Sequence, residues 1–398
     1  MWITKLTRYY FVRSFRARSG TLYPAVGAPH TMSTPSIRMP AEWEPHAATW
    51  IAWPHNPDDW PGKFQPIPWV YVEIVRHLSA VEDVHILVND EAAERRATSI
   101  LRRGGANLAR LLFHHWPTDR VWLRDSGPIF VKQSVGSVQD SGVSLAVTNW
   151  KFNAWAKYSN FLRDDQVPHH VAQLYNIPEI KPEVPPPSDA PPSMKPHRLV
   201  LEGGSIEVNG SGALFTTEEC LLSEVQQRNP GVTREQLEAA FRDYLGIHQT
   251  LWLHRGCAGD DTHGHIDDIA RFVAEDTILA CVEPNTADKN HLPLAENLER
   301  LHSFRQAHGP HQGQPFKIVT LPMPAPVFFE GQRLPASYAN FYIANSLVLV
   351  PTFNDPQDRI ALNTIAACFP TRQVVGIHAV DLVWGLGTLH CLTQQEPA

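Results

Sequence analysis

The sequence has no uninterrupted apolar run approaching the roughly 18 residues that a bilayer-spanning helix requires. Its longest candidate, around Leu347 to Val350, is broken by Asn345 and Pro351, which excludes a membrane span. Cysteine is scarce. Cys220, Cys257, Cys281, Cys368 and Cys391 are scattered, odd in number and free of CxxC spacing; this implies a reducing compartment with at least one free thiol. No long basic block exists beyond the N-terminus, and 34 Lys and Arg against 41 Asp and Glu give a net charge of −7. That argues against nucleic acid and favours a cationic ligand. Acidic residues are missing entirely from Met1 to Ala41, where Lys5, Arg8, Arg13, Arg16, Arg18 and Arg38 alternate with apolar and hydroxyl residues. That composition is the kind found in a mitochondrial presequence, with Met32 as an alternative initiator, so residues 1–38 are set apart as a basic leader, disordered or targeting. The cytoplasm is the expected compartment, and the mitochondrion the alternative if residues 1–31 are translated.

Residues 39–398 remain as a single expected domain, and with 43% of the chain hydrophobic and 10% aromatic a core is easily built. Trp43, Trp50, Trp53, Trp60 and Trp69 crowd a span rich in proline and histidine and read as a packed aromatic surface under long loops. Val70, Ile74, Val75 and Leu78 recur at helical spacing. A strand over 84–88, a helix over 91–103 and a strand over 110–113 follow. The alternation returns with a strand at 129–132, a helix at 234–245, strands at 250–253 and 346–350, a helix at 359–369 and a strand at 374–377. The class is α/β. Eight prolines between Ile177 and Pro196 mark a stiff surface loop. After it, 199–208 and 213–217, turned by Asn209-Gly210-Ser211-Gly212, read as a hairpin carrying Glu202-Gly203-Gly204 in its first arm.

Near the C-terminus, Gly385-Leu386-Gly387-Thr388-Leu389-His390-Cys391 presents a thiol just after two glycines that let the backbone approach a ligand closely. If this stretch is extended, His390 and Cys391 point to opposite faces and the base must come from elsewhere. Taken alone, Cys391 is as well explained as a buried structural thiol. The densest ionisable cluster is Gly259-Asp260-Asp261-Thr262-His263-Gly264-His265-Ile266-Asp267-Asp268; if extended, His263, His265 and Asp267 share one face and Asp268 looks away. Arg124-Asp125, inside an apolar context, reads by itself as a salt-bridged loop, and Glu202 needs a partner if buried. Two chemistries could use His265 and Asp267. A metal-dependent hydrolase would ligate its ion with His263, His265 and Asp267, but the similar run in metallo-β-lactamase-like enzymes ends in His and lies near the N-terminus. A thiol mechanism has Cys391 attack while His265 shuttles protons. The surplus of carboxylates around it asks for a cationic substrate.

Six blocks decide further: Trp122-Leu123-Arg124-Asp125-Ser126-Gly127-Pro128, Asn153-Ala154-Trp155, Leu201-Glu202-Gly203-Gly204-Ser205, Thr217-Glu218-Glu219-Cys220-Leu221-Leu222, Gly264-His265-Ile266-Asp267 and His390-Cys391-Leu392-Thr393-Gln394-Gln395. Together, and in this order, they closely resemble the agmatine deiminase family among the guanidino-group-modifying enzymes, over about Met39 to Pro397. The resemblance implies a pentein fold, five ββαβ blades around a pseudo-fivefold axis, and an activity without metal or organic cofactor. It implies Cys391 as nucleophile, His265 as acid and base, Glu202 as its orienting partner, and Asp125 and Asp267 as guanidinium ligands. Trp122, Gly387 and Thr388 are expected around the substrate. The implied reaction turns agmatine into N-carbamoylputrescine and ammonia, an early step of polyamine synthesis, with a homodimer left open. The physical chemistry agrees, because a planar, permanently charged guanidinium offers donors that two carboxylates grip by charge-assisted hydrogen bonds. A related deiminase of free or peptidyl arginine is the nearest alternative, and a non-catalytic binding descendant a third.

Four departures from the family pattern stand out. Ala156-Lys157 follows Asn153-Ala154-Trp155 where a Gly-Gly-Lys type sequence is usual, Leu386-Gly387-Thr388 replaces Gly-Gly-Asn, His263 replaces Asn, and the proline-rich excursion is long. None removes a catalytic group, while Ala156, Leu386 and Thr388 are placed to reshape the part of the pocket that reads the substrate tail.

Overall fold

The computed structural model describes residues 37–135, 142–186 and 195–398. The leader assigned to residues 1–38 lies outside these residues except for its last two. Ile37–Arg38 form a short strand with Ile37 opposite Gln133, and Arg38 Nη2 reaches Glu44 Oε2 at 2.8 Å.

One unit recurs five times: a strand, an antiparallel partner, a helix, and a third strand parallel to the second. In the unit that closes the chain on itself, Thr393–Pro397 pairs antiparallel with His46–Ala52, helix Ile67–Val81 crosses over, and Asp83–Leu87 adds in parallel. Helix Glu91–Arg103 and strand Leu111–His114 extend that sheet. The second unit is Ile129–Val135, Gly142–Thr148, helix Val167–Tyr175 and Glu179–Ile180. The third is Glu207–Val208, Ala213–Thr217, helix Arg234–Leu245 and Gln249–Leu253. The fourth is Ala270–Ala274, Thr277–Val282, helix His291–Ser303 and Lys317–Pro322. Tyr342–Ala344, Leu347–Thr352, helix Gln357–Cys368 and Gln373–His378 complete the fifth. These are the five ββαβ modules that the family resemblance implies.

Local chemistry explains the boundaries. Helix Glu91–Arg103 starts at Asp90, whose carboxylate accepts from Ala93 N at 2.7 Å, and buries Ala93, Ala97 and Leu101 at four-residue steps. Helix Arg234–Leu245 has a complete capping box between Thr233 and Gln236 and stops at Gly246, which takes φ +73°. Among the described residues no helix is long and apolar enough to cross a membrane.

Three expectations need correction. The proline-rich excursion is not all loop: Glu179–Ile180 is the parallel strand of the second unit, and Glu183–Val184 pairs with His197–Arg198. Those of its prolines that are described flank these strands rather than interrupt them, so no ladder donor is lost there. The first arm of the expected hairpin is strand only at Glu207–Val208, because Gly203–Ser205 forms a helical turn. Of the tryptophans, Trp50 lies in a central strand and stacks on His85 with centroids 4.1 Å apart, while Trp69 is half exposed.

A buried polar hub ties the units together at their centre. Glu42 accepts from Arg124 Nη2 at 2.9 Å, Arg271 Nη2 at 3.0 Å, Ile343 N at 2.8 Å and His390 Nε2 at 2.8 Å. Arg271 also binds Glu207 Oε2 at 3.1 Å, and Arg124 binds Gln395 Oε1 at 2.7 Å. All five units are thereby linked. Burial works to raise the Glu42 pKa, yet Arg271, His390 and Arg124 hold it well below the ordinary carboxylate range.

Candidate active site

The stretch just before the first strand of each unit supplies one part of a single site. Asp125 precedes Ile129, Glu202 precedes Glu207, His265 and Asp267 precede Ala270, Asn340 precedes Tyr342, and Cys391 precedes Thr393. Four of these stretches are one-turn helices, Leu123–Ser126, Gly203–Ser205, Ile266–Asp268 and Leu389–Leu392. The five side chains expected to act, Asp125, Glu202, His265, Asp267 and Cys391, are all buried and all brought together here.

His265 is the centre of the group. Its Nδ1 lies 3.8 Å from Asp125 Oδ1 and 4.0 Å from Asp267 Oδ1, and its Nε2 lies 3.8 Å from Glu202 Oε2. None of these contacts reaches hydrogen-bond length, so both ring nitrogens, Glu202 Oε2 and Asp267 Oδ1 are buried polar atoms without a partner within the protein. The two orphaned carboxylate oxygens suit a ligand rich in donors. Close packing enforces the arrangement: Gly204 N donates to Asp125 Oδ1 at 3.0 Å, and a Cβ on Gly204 would sit 2.6 Å from His265 Nδ1. Gly387 is equally constrained, since a Cβ there would lie 2.8 Å from Trp122 and 3.0 Å from Cys391 Cβ.

Electrostatics assigns different protonation states to neighbouring groups. Burial raises Asp125 to about 6, with Asp267 and Glu202 adding repulsion against the pull of His265. Glu202 is driven to about 2 despite burial, chiefly by Arg228, whose Nε donates to Oε1 at 3.0 Å. Burial opposes a charged His265, but Asp125, Cys220 and Glu202 outweigh it and hold the ring well above its ordinary value, as an imidazolium able to give a proton. Cys391 is pushed well above the usual thiol range by burial and then by Asp267, Asp268 and Asp125. An arriving cation reverses that pressure.

A cavity of about 200 Å³ opens onto this group. Trp122, Asp125, Trp155 and Cys391 line its buried end, and Asp58, Tyr158, Asp261 and Arg120 its more exposed end. Trp155 Nε1 donates to Asp125 Oδ2 at 2.9 Å. His265, Glu202 and Asp267 are buried next to Asp125 and Cys391 without lining the cavity.

Several expectations change. Arg124 and Asp125 are not a salt-bridged pair, since Arg124 turns to Glu42 in the hub while Asp125 faces the cavity. The segment 389–392 is helical rather than extended, and His390 is not remote from the site: its Nδ1 contacts Asp267 Oδ2 at 2.7 Å. Asp268 does not look away either. It is buried and accepts from Asn340 Nδ2 at 3.0 Å, while burial, Asp267 and Asp260 raise its pKa well above the carboxylate range. Thr388, expected at the substrate, donates instead to Asn340 Oδ1 at 2.8 Å and does not line the cavity. His263 joins no ligand set with His265 and Asp267. It takes φ +64° and contacts Ser223 Oγ at 3.1 Å, and among the described residues the single group of three potential ligands is Glu202, Cys220 and His265.

Asn340 is the residue missed. Its Nδ2 donates to Cys391 Sγ at 3.1 Å, and its Oδ1 accepts from Thr388 and from His390 N at 3.1 Å, which fixes the amide orientation. Ala156, Leu386 and His263, which stand where the family usually has Gly, Gly and Asn, all occupy the left-handed region, at φ +53°, +69° and +64°. Gly and Asn are the residues that accept this conformation. The chain keeps the backbone and bears the strain.

The sequence profile described as Porphyromonas-type peptidyl-arginine deiminase matches residues 38–397. An agmatine deiminase from Pseudomonas aeruginosa is 32% identical over 392 residues, covering 92% of this chain and 98% of that protein. A relative from Selenomonas ruminantium is 36% identical over 391 residues, covering 90% and 95%. Among solved structures, agmatine deiminase of Enterococcus faecalis superposes with a TM-score of 0.76 at 29% identity, over 91% of this chain and 96% of that one.

Proposed function

The chain belongs to the Porphyromonas-type peptidyl-arginine deiminase family, and from that premise we propose that it hydrolyses agmatine to N-carbamoylputrescine and ammonia, with Cys391 as nucleophile. The observation that carries the substrate is the charge of the cavity. Asp58, Asp59, Asp125 and Asp261 line it against one cation, Arg120. Arg120 is committed to Asp59 at 2.7 Å, and nearby Lys157 is bound to Asp261. A dication with a guanidinium and an ammonium end fits such walls. The α-carboxylate of arginine would meet like charge with no uncommitted cation among the described lining residues.

Asp125 and Asp267 grip the guanidinium by charge-assisted hydrogen bonds, and the bound charge favours the Cys391 thiolate. Sulfur attacks the central carbon, and His265, oriented by Glu202, protonates the departing nitrogen. The C–N bond breaks, ammonia leaves, and a positively charged amidino thioether remains on Cys391. His265 then takes a proton from water, which adds to the same carbon. The C–S bond breaks, returning the thiol, and the ureido product leaves with the carbonyl oxygen from water. Asn340 donates to the sulfur in its charged form. Comparing ammonia release from agmatine and from arginine tests the assignment: agmatine is expected to turn over far faster, and equal or faster arginine turnover overturns it.

A further inference from the structure

On the side of His265 that faces Glu202 stands a second constellation that the reaction does not use as such. A carboxylate oxygen of Glu202, Cys220 Sγ and a ring nitrogen of His265 all lie within 4.8 Å of one another and all three residues are buried. Glu202 Oε2 and His265 Nε2 have no hydrogen-bond partner and stand 3.8 Å apart. A tetrahedral ion with Zn–N and Zn–O bonds near 2.1 Å holds such ligands about 3.4 Å apart, so a small inward movement closes the shell.

We propose that these three side chains form an inhibitory site for a thiophilic first-row divalent cation, zinc foremost. Thiolate sulfur, imidazole nitrogen and carboxylate oxygen are the donor set that selects zinc over magnesium or calcium. The outer partners are in place as well. Arg228 holds the other oxygen of Glu202 at 3.0 Å and so fixes the direction of Oε2, and His265 Nδ1 turns toward the Asp125 and Asp267 carboxylates, the arrangement that orients a ligating imidazole. Cys220 N is held by Thr217 Oγ1 at 3.0 Å, and the same hydroxyl donates to Gly264 O, which ties the cysteine to the segment carrying His265. The Arg228 charge beside the shell opposes a resident ion, so the site takes metal reversibly and gives it up to a chelator. A metal on Nε2 keeps the ring from carrying the proton that ammonia departure needs, so occupancy stops turnover. The inhibitory effect rests on the proposed role of His265, whereas metal binding does not.

Two measurements separate these. Cobalt(II) titrated into the metal-free full chain is expected to give sulfur-to-cobalt charge transfer and tetrahedral d–d bands that persist in Cys391→Ser and vanish in Cys220→Ser. Zinc inhibition, expressed against each variant's own metal-free rate, is expected to weaken at least tenfold in Cys220→Ser. Because that variant could fold poorly, an anomalous difference map at the zinc edge on wild-type crystals supplies an independent readout, with the ion expected within bonding distance of Cys220 Sγ. A thiolate spectrum lost in Cys391→Ser, an ion beside Cys391, or no cobalt bound by the wild type overturns the proposal. Cobalt binding at Cys220 without inhibition would keep the site and refute the role given to His265.

Discussion

Asp267→Asn has two effects of opposite sign, and the combination is diagnostic. Asp267 Oδ2 lies 3.8 Å from Cys391 Sγ. At an effective dielectric constant of about 20, unit charges at that distance repel by about 4 kcal/mol, or about three pKa units on the thiol. His390 Nδ1 is in contact with the same oxygen at 2.7 Å and draws off part of that field, so a drop of about one to two units is expected in the variant. The free thiol, held well above its usual range by burial and then by Asp267, Asp268 and Asp125, should therefore react about tenfold or more faster with iodoacetamide near pH 8. Meanwhile the guanidinium loses a charged hydrogen-bond acceptor worth about 1.5–3 kcal/mol, so kcat/KM should fall about 10- to 100-fold. The nucleophile becomes more reactive while the enzyme becomes worse. Asp268→Asn is the control, because Asp268 weighs on the thiol less than Asp267 does and its oxygen contact with Asn340 survives the change. Alkylation that is unchanged or slower in Asp267→Asn, or a shift of equal size in Asp268→Asn, would refute the reasoning.

Asp125, raised to about 6 by burial, must be ionised to hold a guanidinium. kcat/KM should fall as pH drops through about 6 and recover above it, while Glu202, at about 2, stays charged throughout; an acidic limb near pH 4 would contradict this. Asn340→Ala removes the donor to sulfur and the anchor of Thr388 and His390 N. kcat should drop about 10- to 100-fold with KM little changed, and a change in KM alone would place Asn340 outside the chemistry. Ala156 is exposed and held at φ +53°, so Ala156→Gly should relieve about 0.5–1 kcal/mol net and raise Tm by about 1–2 °C. A lower Tm would show that the alanine methyl packs where it stands.

How much of this was legible in the sequence depended on distance along the chain. Helices 91–103 and 234–245 were legible in the sequence, and the structure gives them the same limits. Four short stretches that carry the proposed catalytic groups were not, because a single helical turn is too brief to show a period. Taking two of them as extended misdirected Asp268 and His390, and the resemblance placed Thr388 at the substrate, where it instead binds Asn340. The proline-rich segment hid a strand because two residues between prolines suffice to pair. Asp125, Glu202, His265, Asp267 and Cys391 were singled out because each sits in a short, recognisable block, and the structure buries them side by side. Asn340, Glu42 and Arg228 were missed for the opposite reason: their partners are remote, Cys391 being 51 residues from Asn340 and Arg271 being 229 from Glu42. A preceding-strand rule could have found Asn340, since four of the five units already place a site residue there.

The central claim is that sulfur of Cys391 becomes covalently bonded to the guanidino carbon of the substrate. Acid quenching during turnover of agmatine, followed by mass spectrometry of the peptide containing Cys391, tests it directly. The account predicts a gain equal to agmatine less ammonia on Cys391, absent without substrate and absent in Cys391→Ala, which binds agmatine and does not turn it over. Steady turnover by Cys391→Ala, or the adduct on another residue, would contradict it.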